Sequence, residues 1–219
     1  MTLKTMNNYR VDEDEAPEGG ASALLTTKDE WSPSTLAGFG PDTRTILIAG
    51  EIDGIMGSAI CSQIEWLACE EDAPIKVMIN TPGGDVIQTL AIYDTLRAVS
   101  CPIITVAQGM AFSGGFLLMQ AGDLRVAFPH SKLFYHEPLS ESHVCSTEEL
   151  ASHVKSYAWG LDAMNAIIRK RTKINKTNWS KFFAGKTSVY FTAIEALELN
   201  IIDEIIEFQK KPKLVLEKI

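Results

Sequence analysis

The sequence predicts an α/β protein built on a largely parallel sheet that is buried on both faces. Three observations carry that expectation. Apolar runs at Ile46–Ala49 and Pro102–Ala107 read as buried strands, with a further strand at Ile75–Asn80. Stretches with helical spacing of apolar residues lie between them, so strand and helix alternate at the pace of βαβ crossovers. Downstream, one long helix with a single apolar seam interrupts the alternation.

In chain order, residues 1–43 form an arm with the marks of flexibility. They include the acidic run Asp12-Glu13-Asp14-Glu15, then Pro17-Glu18-Gly19-Gly20 and Ser32-Pro33-Ser34. The folded body is expected over residues 44–208. After the first strand, a helix over Ser58–Glu70 places Ile60, Ile64, Leu67 and Ala68 on one face. The second strand ends in a Gly-rich turn, Thr81-Pro82-Gly83-Gly84, that opens a helix carrying Val86, Leu90, Tyr93, Leu96 and Val99. The third strand leads through Gln108–Phe112 to Ser113, which opens another helix. Short strands follow near Leu124–Phe128 and Ser131–Tyr135.

The long helix begins near Ser146, where Ser146-Thr147-Glu148-Glu149 has the form of a capping box, and runs to about Arg171. Leu150, Val154, Tyr157, Leu161, Met164 and Ile168 recur every three or four residues along it, which makes a rod about 35–40 Å long at 1.5 Å per residue. A rod of that length with one apolar seam is expected to protrude and pack against another copy of the chain. A helical segment around Asn178-Trp179, a second capping box at Thr192–Glu195 and a final strand over Ile201–Ile206 complete the body. The lysine-rich tail, residues 209–219, is expected to be mobile.

Composition excludes several function classes. The net charge of -8, with no basic cluster longer than Arg169-Lys170-Arg171, argues against a nucleic acid or an acidic membrane surface as partner. Cys61, Cys69, Cys101 and Cys145 lack metal-type close pairing and read as reduced thiols, the pattern of a cytoplasmic protein. The N-terminus lacks the apolar stretch of a secretory signal, and no apolar run approaches the roughly 20 residues of a membrane span. No G-x-x-x-x-G-K-[ST] phosphate loop is present, so the chain is not expected to use ATP itself.

The chemistry concentrates on Ser113. A hydroxyl at a strand-to-helix turn, followed by Gly114 and Gly115 at a helix start, serves either as a helix N-cap or as a nucleophile. A nucleophile needs a base. His153 lies on the long helix, His143 in a polar loop and His130 in a turn, whereas His136 ends the apolar strand Leu133-Phe134-Tyr135, beside a loop, where an imidazole faces a cleft. Backbone N–H groups that approach a tetrahedral intermediate closely favour glycine, and Gly114 together with the Gly83-Gly84 pair supplies candidates. Asp85-Val86-Ile87 offers backbone to an extended peptide.

Four stretches together resemble the proteolytic subunit of the Clp protease. They are Asn80–Asp85, Ala91–Leu96, Gly109–Leu118 and Phe134–Leu139, in that order, and the similarity runs from about Thr45 to Ile206. The resemblance implies a crotonase-like fold of repeated ββα and βαβ units with a protruding handle helix. It implies a serine endopeptidase acting on unfolded polypeptides within stacked heptameric rings, homo- or hetero-oligomeric, fed by a separate AAA+ unfoldase that uses the ATP. Carried over, Ser113 is the nucleophile, His136 the general base, and the N–H groups of Gly84 and Gly114 the oxyanion hole, with no metal or other cofactor.

One departure accompanies the resemblance. The family places an aspartate a few residues before the motif that here reads Tyr190–Leu197, yet no carboxylate occurs between Asp162 and Glu195, and Ser188, or alternatively Thr187, falls closest to the vacant position. Loss of that aspartate in a triad protease lowers turnover about 10⁴-fold. Two alternatives therefore accompany the peptidase: a weakly active or inactive scaffold subunit of a mixed ring, and a crotonase-type acyl-CoA enzyme using the same paired N–H groups for a thioester enolate.

Overall fold

In a computed structural model, the residues described are 44–136, 146–174 and 188–208. The expected arm, the helical segment around Asn178-Trp179 and the tail lie outside them, as do His143, Cys145 and the Glu137–Leu139 end of the fourth motif. The strands are β1 (Thr45–Ile52), β2 (Ile75–Gly84), β3 (Ile103–Phe112), β4 (Leu124–Ala127), β5 (Lys132–His136), β6 (Ser188–Thr192) and β7 (Glu204–Ile205). The helices are α1 (Gly54–Glu70), α2 (Val86–Ala98), α3 (Gly114–Met119), α4 (Thr147–Arg171) and α5 (Ala193–Glu198).

Five strands lie in the order β1-β2-β3-β4-β7, all parallel. Ile48, Val77, Ile79 and Ala107 are fully buried within this sheet, as strands covered on both faces require. Asp53 caps α1 by accepting from the Met56 amide at 2.8 Å, so the helix starts at Gly54, ahead of the expected Ser58. Asp85 caps α2 in the same way through Gln88.

β3 forks the sheet. Its first half, Ile104–Ala107, pairs with Leu124–Ala127 of β4, while its second half, Met110–Phe112, pairs with Lys132–Phe134 of β5. Between the halves Gly109 takes φ +88°, and a Cβ there would meet the Asn80 side-chain oxygen at 2.9 Å. The register of β2 against β3 shifts at the same level, between Ile79 and Thr81. β2 thus continues as strand through Gly84 where a turn was expected, because pairing with β1 resumes after its own shift, at Glu51–Gly83 and Ile52–Gly84.

β5 also pairs antiparallel with β6, a strand that periodicity did not indicate. The expected final strand shortens to Glu204–Ile205. Ile201 and Ile202 are buried in the core, and Asp203 turns toward Arg125 instead. There the Asp203 carboxylate accepts from the backbone N–H and Nε of Arg125, each at 2.9 Å, and from a terminal guanidinium nitrogen at 2.5 Å. The Arg125 side chain is almost wholly buried, and its remaining guanidinium nitrogen donates to Gln120 Oε1 and to the carbonyls of Arg171 and Asn200. One buried cation thereby ties β4 to the ends of α3, α4 and α5, and its hydrogen bonds hold the Asp203 carboxyl below the usual carboxylate range.

α4 starts with the expected capping box, Ser146 and Glu149 each accepting from the other's backbone. Its seam divides in two. Met164 and Ile168 are buried against the body, whereas every residue from Ser146 to Trp159 is exposed, including Leu150, Val154 and Tyr157. At 1.5 Å per residue the exposed part extends about 20 Å.

Candidate active site

The fork in β3 brings the two candidate reacting residues together. Phe112, the last residue of β3, is in register with Phe134 of β5, and the next amide, that of Ser113, donates to the Phe134 carbonyl at 2.8 Å. His136 stands two residues further along β5, at its end. Parallel pairing therefore sets the serine turn beside the histidine, and His136 Nε2 lies 2.9 Å from Ser113 Oγ.

Ser113 adopts φ 52° and ψ -113°, a conformation a non-glycine residue rarely takes. A residue held there costs of order 1–3 kcal/mol and persists only where its surroundings fix it. The bond to Phe134 fixes it on one side. On the other lies Gly83, where a Cβ would sit 2.6 Å from Ser113 Cβ and 2.8 Å from the Gly114 nitrogen. The N-cap alternative is not what the hydroxyl does: it makes no capping bond to α3 and meets His136 instead.

The candidate glycines gather around this pair. Gly114 is the first residue of α3, where backbone N–H groups have no acceptor within the helix. Gly84 closes β2, and a Cβ there would lie 2.2 Å from the Ile52 carbonyl oxygen, so only glycine fits. Ser113, His136, Gly84 and Gly114 all line a single cavity of about 650 Å³. Val86, Ile87, Trp159, Gly160 and Met164 form its apolar wall, while Glu51 and Asp85 lie at its polar side. Gly160 is buried, which lets α4 approach Val86 closely.

A model of the Clp protease family matches residues 36–209. The chain belongs to the Clp protease family. It is 33% identical over 174 residues to "ATP-dependent Clp protease proteolytic subunit 1" of Mycobacterium tuberculosis, covering 74% of this chain and 82% of the relative. It is also 33% identical, over 175 residues, to "ATP-dependent Clp protease proteolytic subunit 2" of Cutibacterium acnes, covering 74% and 76% respectively. "ATP-dependent Clp protease proteolytic subunit 2" of Mycolicibacterium paratuberculosis is 33% identical over 174 residues, covering 74% of this chain and 82% of that protein.

Within this Clp-family site, Ser188 stands directly opposite His136 in the antiparallel β5–β6 register. Directly opposed residues point to the same face of the pair with Cβ atoms about 4.5–5.5 Å apart. The other described histidines lie elsewhere: His153 is exposed on α4, and His130 is exposed and packs its ring against Phe208.

Sequence reasoning missed a group of rings beside the pair. Phe134 stacks on His136 with ring centroids 5.2 Å apart and planes 14° from parallel. Tyr190 stacks on Phe134 at 4.2 Å, and Phe112 meets both edge-on. It also missed the hydrogen bond from the Tyr135 hydroxyl to Asn165 Oδ1 on α4, buried next to His136 along β5. The aromatic residues beside Ser113 and His136 were visible signals, but their meeting depends on the β3–β5 and β5–β6 pairings.

Proposed function

We propose that this Clp-family chain is a serine endopeptidase subunit that hydrolyses peptide bonds of unfolded polypeptides through an acyl-enzyme. The observation that carries this reading is the 2.9 Å contact of His136 Nε2 with Ser113 Oγ at the edge of a glycine-lined cavity. In the proposed cycle His136 Nε2 takes the hydroxyl proton as Ser113 Oγ attacks the scissile carbonyl carbon. The N–H groups of Gly84 and Gly114 receive the oxyanion. The tetrahedral intermediate then expels the amine, which leaves with the proton from His136, and water, activated by the same nitrogen, releases the acyl group.

The wall of Val86, Ile87, Trp159 and Met164 suits an apolar side chain on the acyl side of the cut. The chain needs no metal or cofactor for these steps; ATP enters only through a separate unfoldase of the AAA+ type. The exposed stripe of Leu150, Val154 and Tyr157 suits packing against a second ring, which is why the working form is proposed to be an oligomer of stacked heptameric rings. No helix among the described residues is long and apolar enough to cross a membrane. The net charge of -8 and the unpaired spacing of the cysteines suit a cytoplasmic enzyme without nucleic-acid or acidic-membrane partners.

Ser188 favours a second reading, a weak or inactive scaffold subunit of a mixed ring, because a hydroxyl opposite His136 cannot stabilise an imidazolium as an anion does. Hydrolysis of short fluorogenic peptides by the chain purified alone separates the two. The peptidase reading expects turnover that Ser113→Ala and His136→Ala each abolish. Turnover only after a second type of subunit is added, surviving Ser113→Ala, identifies the scaffold.

A further inference from the structure

A catalytic imidazole must be held in one plane and must be more comfortable when charged in the transition state than before it. In this chain the face of His136 is covered. The Phe134 ring lies almost parallel to it at 5.2 Å, on the same side of β5 two residues away. Phe134 is itself held by other rings, with Tyr190 of β6 stacked on it at 4.2 Å and Phe112 of β3 packed edge-on at 5.5 Å. Three neighbouring strands thus lock one ring against the histidine, and Phe112 adjoins Ser113 in sequence.

We infer that Phe134 is the positioning residue of His136, backed by Tyr190 and Phe112, and that its π-face stabilises the imidazolium formed when Ser113 loses its proton. This inference rests on the reading of Ser113 and His136 as the reacting pair. An aromatic ring carries a negative face, so a parallel imidazolium is attracted to it where a neutral imidazole is not. The stack orients His136 from its flat side, while a hydrogen-bonding partner acts at a ring edge, so the two devices are independent. Among the described residues, Glu51, Asp85 and Tyr157 are the ionisable groups that line the cavity with His136, Tyr190 stacks on Phe134, and Lys132 lies at the far end of β5, about 13 Å away at 3.3 Å per residue. Asp85 accepts from Gln88 at the start of α2.

Titration of carbon-labelled histidine by NMR in the assembled protein tests this directly, the His136 signal being assigned by its loss in His136→Gln. Phe134→Leu keeps the bulk and removes the π-face, and should lower the His136 pKa by about half a unit, a roughly threefold loss of proton affinity. Phe134→Tyr keeps the face and should leave the pKa at its wild-type position. In the wild type, the His136 ring protons should also lie upfield of those of exposed His153, displaced by the Phe134 ring current, a reading that needs no variant to fold. A His136 pKa equal in wild type and Phe134→Leu, or His136 protons without the upfield displacement, overturns the inference. Labelling of wild-type Ser113 by a fluorophosphonate, measured on the same sample, reads the peptidase assignment separately.

Discussion

His136 and Ser188 face each other across the antiparallel pair of β5 and β6, one at the end of its strand and the other at the start. A carboxylate introduced at residue 188 would therefore stand on the same face as the imidazole, within reach of its ring. Ser188→Asp is expected to raise kcat/KM for a fluorogenic peptide at least tenfold, out of the roughly 10⁴ that such an anion supplies in a triad. The anion also favours the imidazolium, so the acid limb of the pH–rate profile should move to higher pH. An unchanged rate and profile would show that residue 188 does not reach the histidine.

Gly83 packs against the serine turn with no room for a methyl group. A Cβ there meets Ser113 Cβ at 2.6 Å and two backbone atoms, the Gly114 nitrogen at 2.8 Å and the Phe112 oxygen at 2.9 Å, and φ is +100°. Backbone cannot rotate away as a side chain can, so Gly83→Ala has to shift Ser113. Displacement of about 1 Å costs on the order of a hundredfold in rate. Peptidase kinetics should show that loss in kcat/KM, and a melting curve the smaller cost of a strained φ. Wild-type kinetics in this variant would mean that Gly83 does not hold the turn.

The alternation of strand and helix was legible because buried apolar runs and helical spacing are local signals. Asp53 moved the start of α1 four residues ahead of the expected Ser58 through a single capping bond, whereas α2 begins at Val86, as expected. The fork in β3, the extension of β2 to Gly84 and the strand β6 were not legible, since each depends on which strand lies alongside. For the same reason Ser113, His136, Gly84 and Gly114 could be named from sequence, but their convergence on one cavity could not be read from spacing. The seam of α4 showed only that one face is apolar; its division into a buried half at Met164 and Ile168 and an exposed half before Gly160 is a consequence of where the body ends.

Asp203 is the carboxylate that partners buried Arg125, and its folded pKa is depressed chiefly by the Arg125 side-chain hydrogen bond. Asp203→Asn leaves that cation without its anion and should destabilise the fold by roughly 3 kcal/mol at neutral pH. A depressed folded pKa means that the contribution is complete above the unfolded value of about 3.9 and disappears as pH falls through the folded value. The melting-temperature gap between wild type and variant should accordingly be constant above about pH 5 and narrow in stronger acid. A gap that is absent at pH 7, or that widens in acid, contradicts this assignment.

Leu150 and Val154 are 54% and 60% exposed on the outer half of α4, so charges there should leave the isolated fold within about 0.5 kcal/mol of its stability. In an assembly packed through this stripe they become buried like charges. The double variant Leu150→Asp, Val154→Asp should keep the far-ultraviolet spectrum of the wild type while analytical ultracentrifugation shows smaller particles. Particles of wild-type size would place the contact between copies elsewhere.

Covalent labelling tests Ser113 as a nucleophile activated by His136 without any knowledge of the natural substrate. A fluorophosphonate probe is incubated with the assembled protein, and the modified residue is mapped by mass spectrometry of the digested chain. One adduct is expected, on Ser113, and it disappears in His136→Ala. An unlabelled chain, beside a known serine peptidase that labels in the same tube, would contradict it, as would an adduct on another residue that persists in Ser113→Ala.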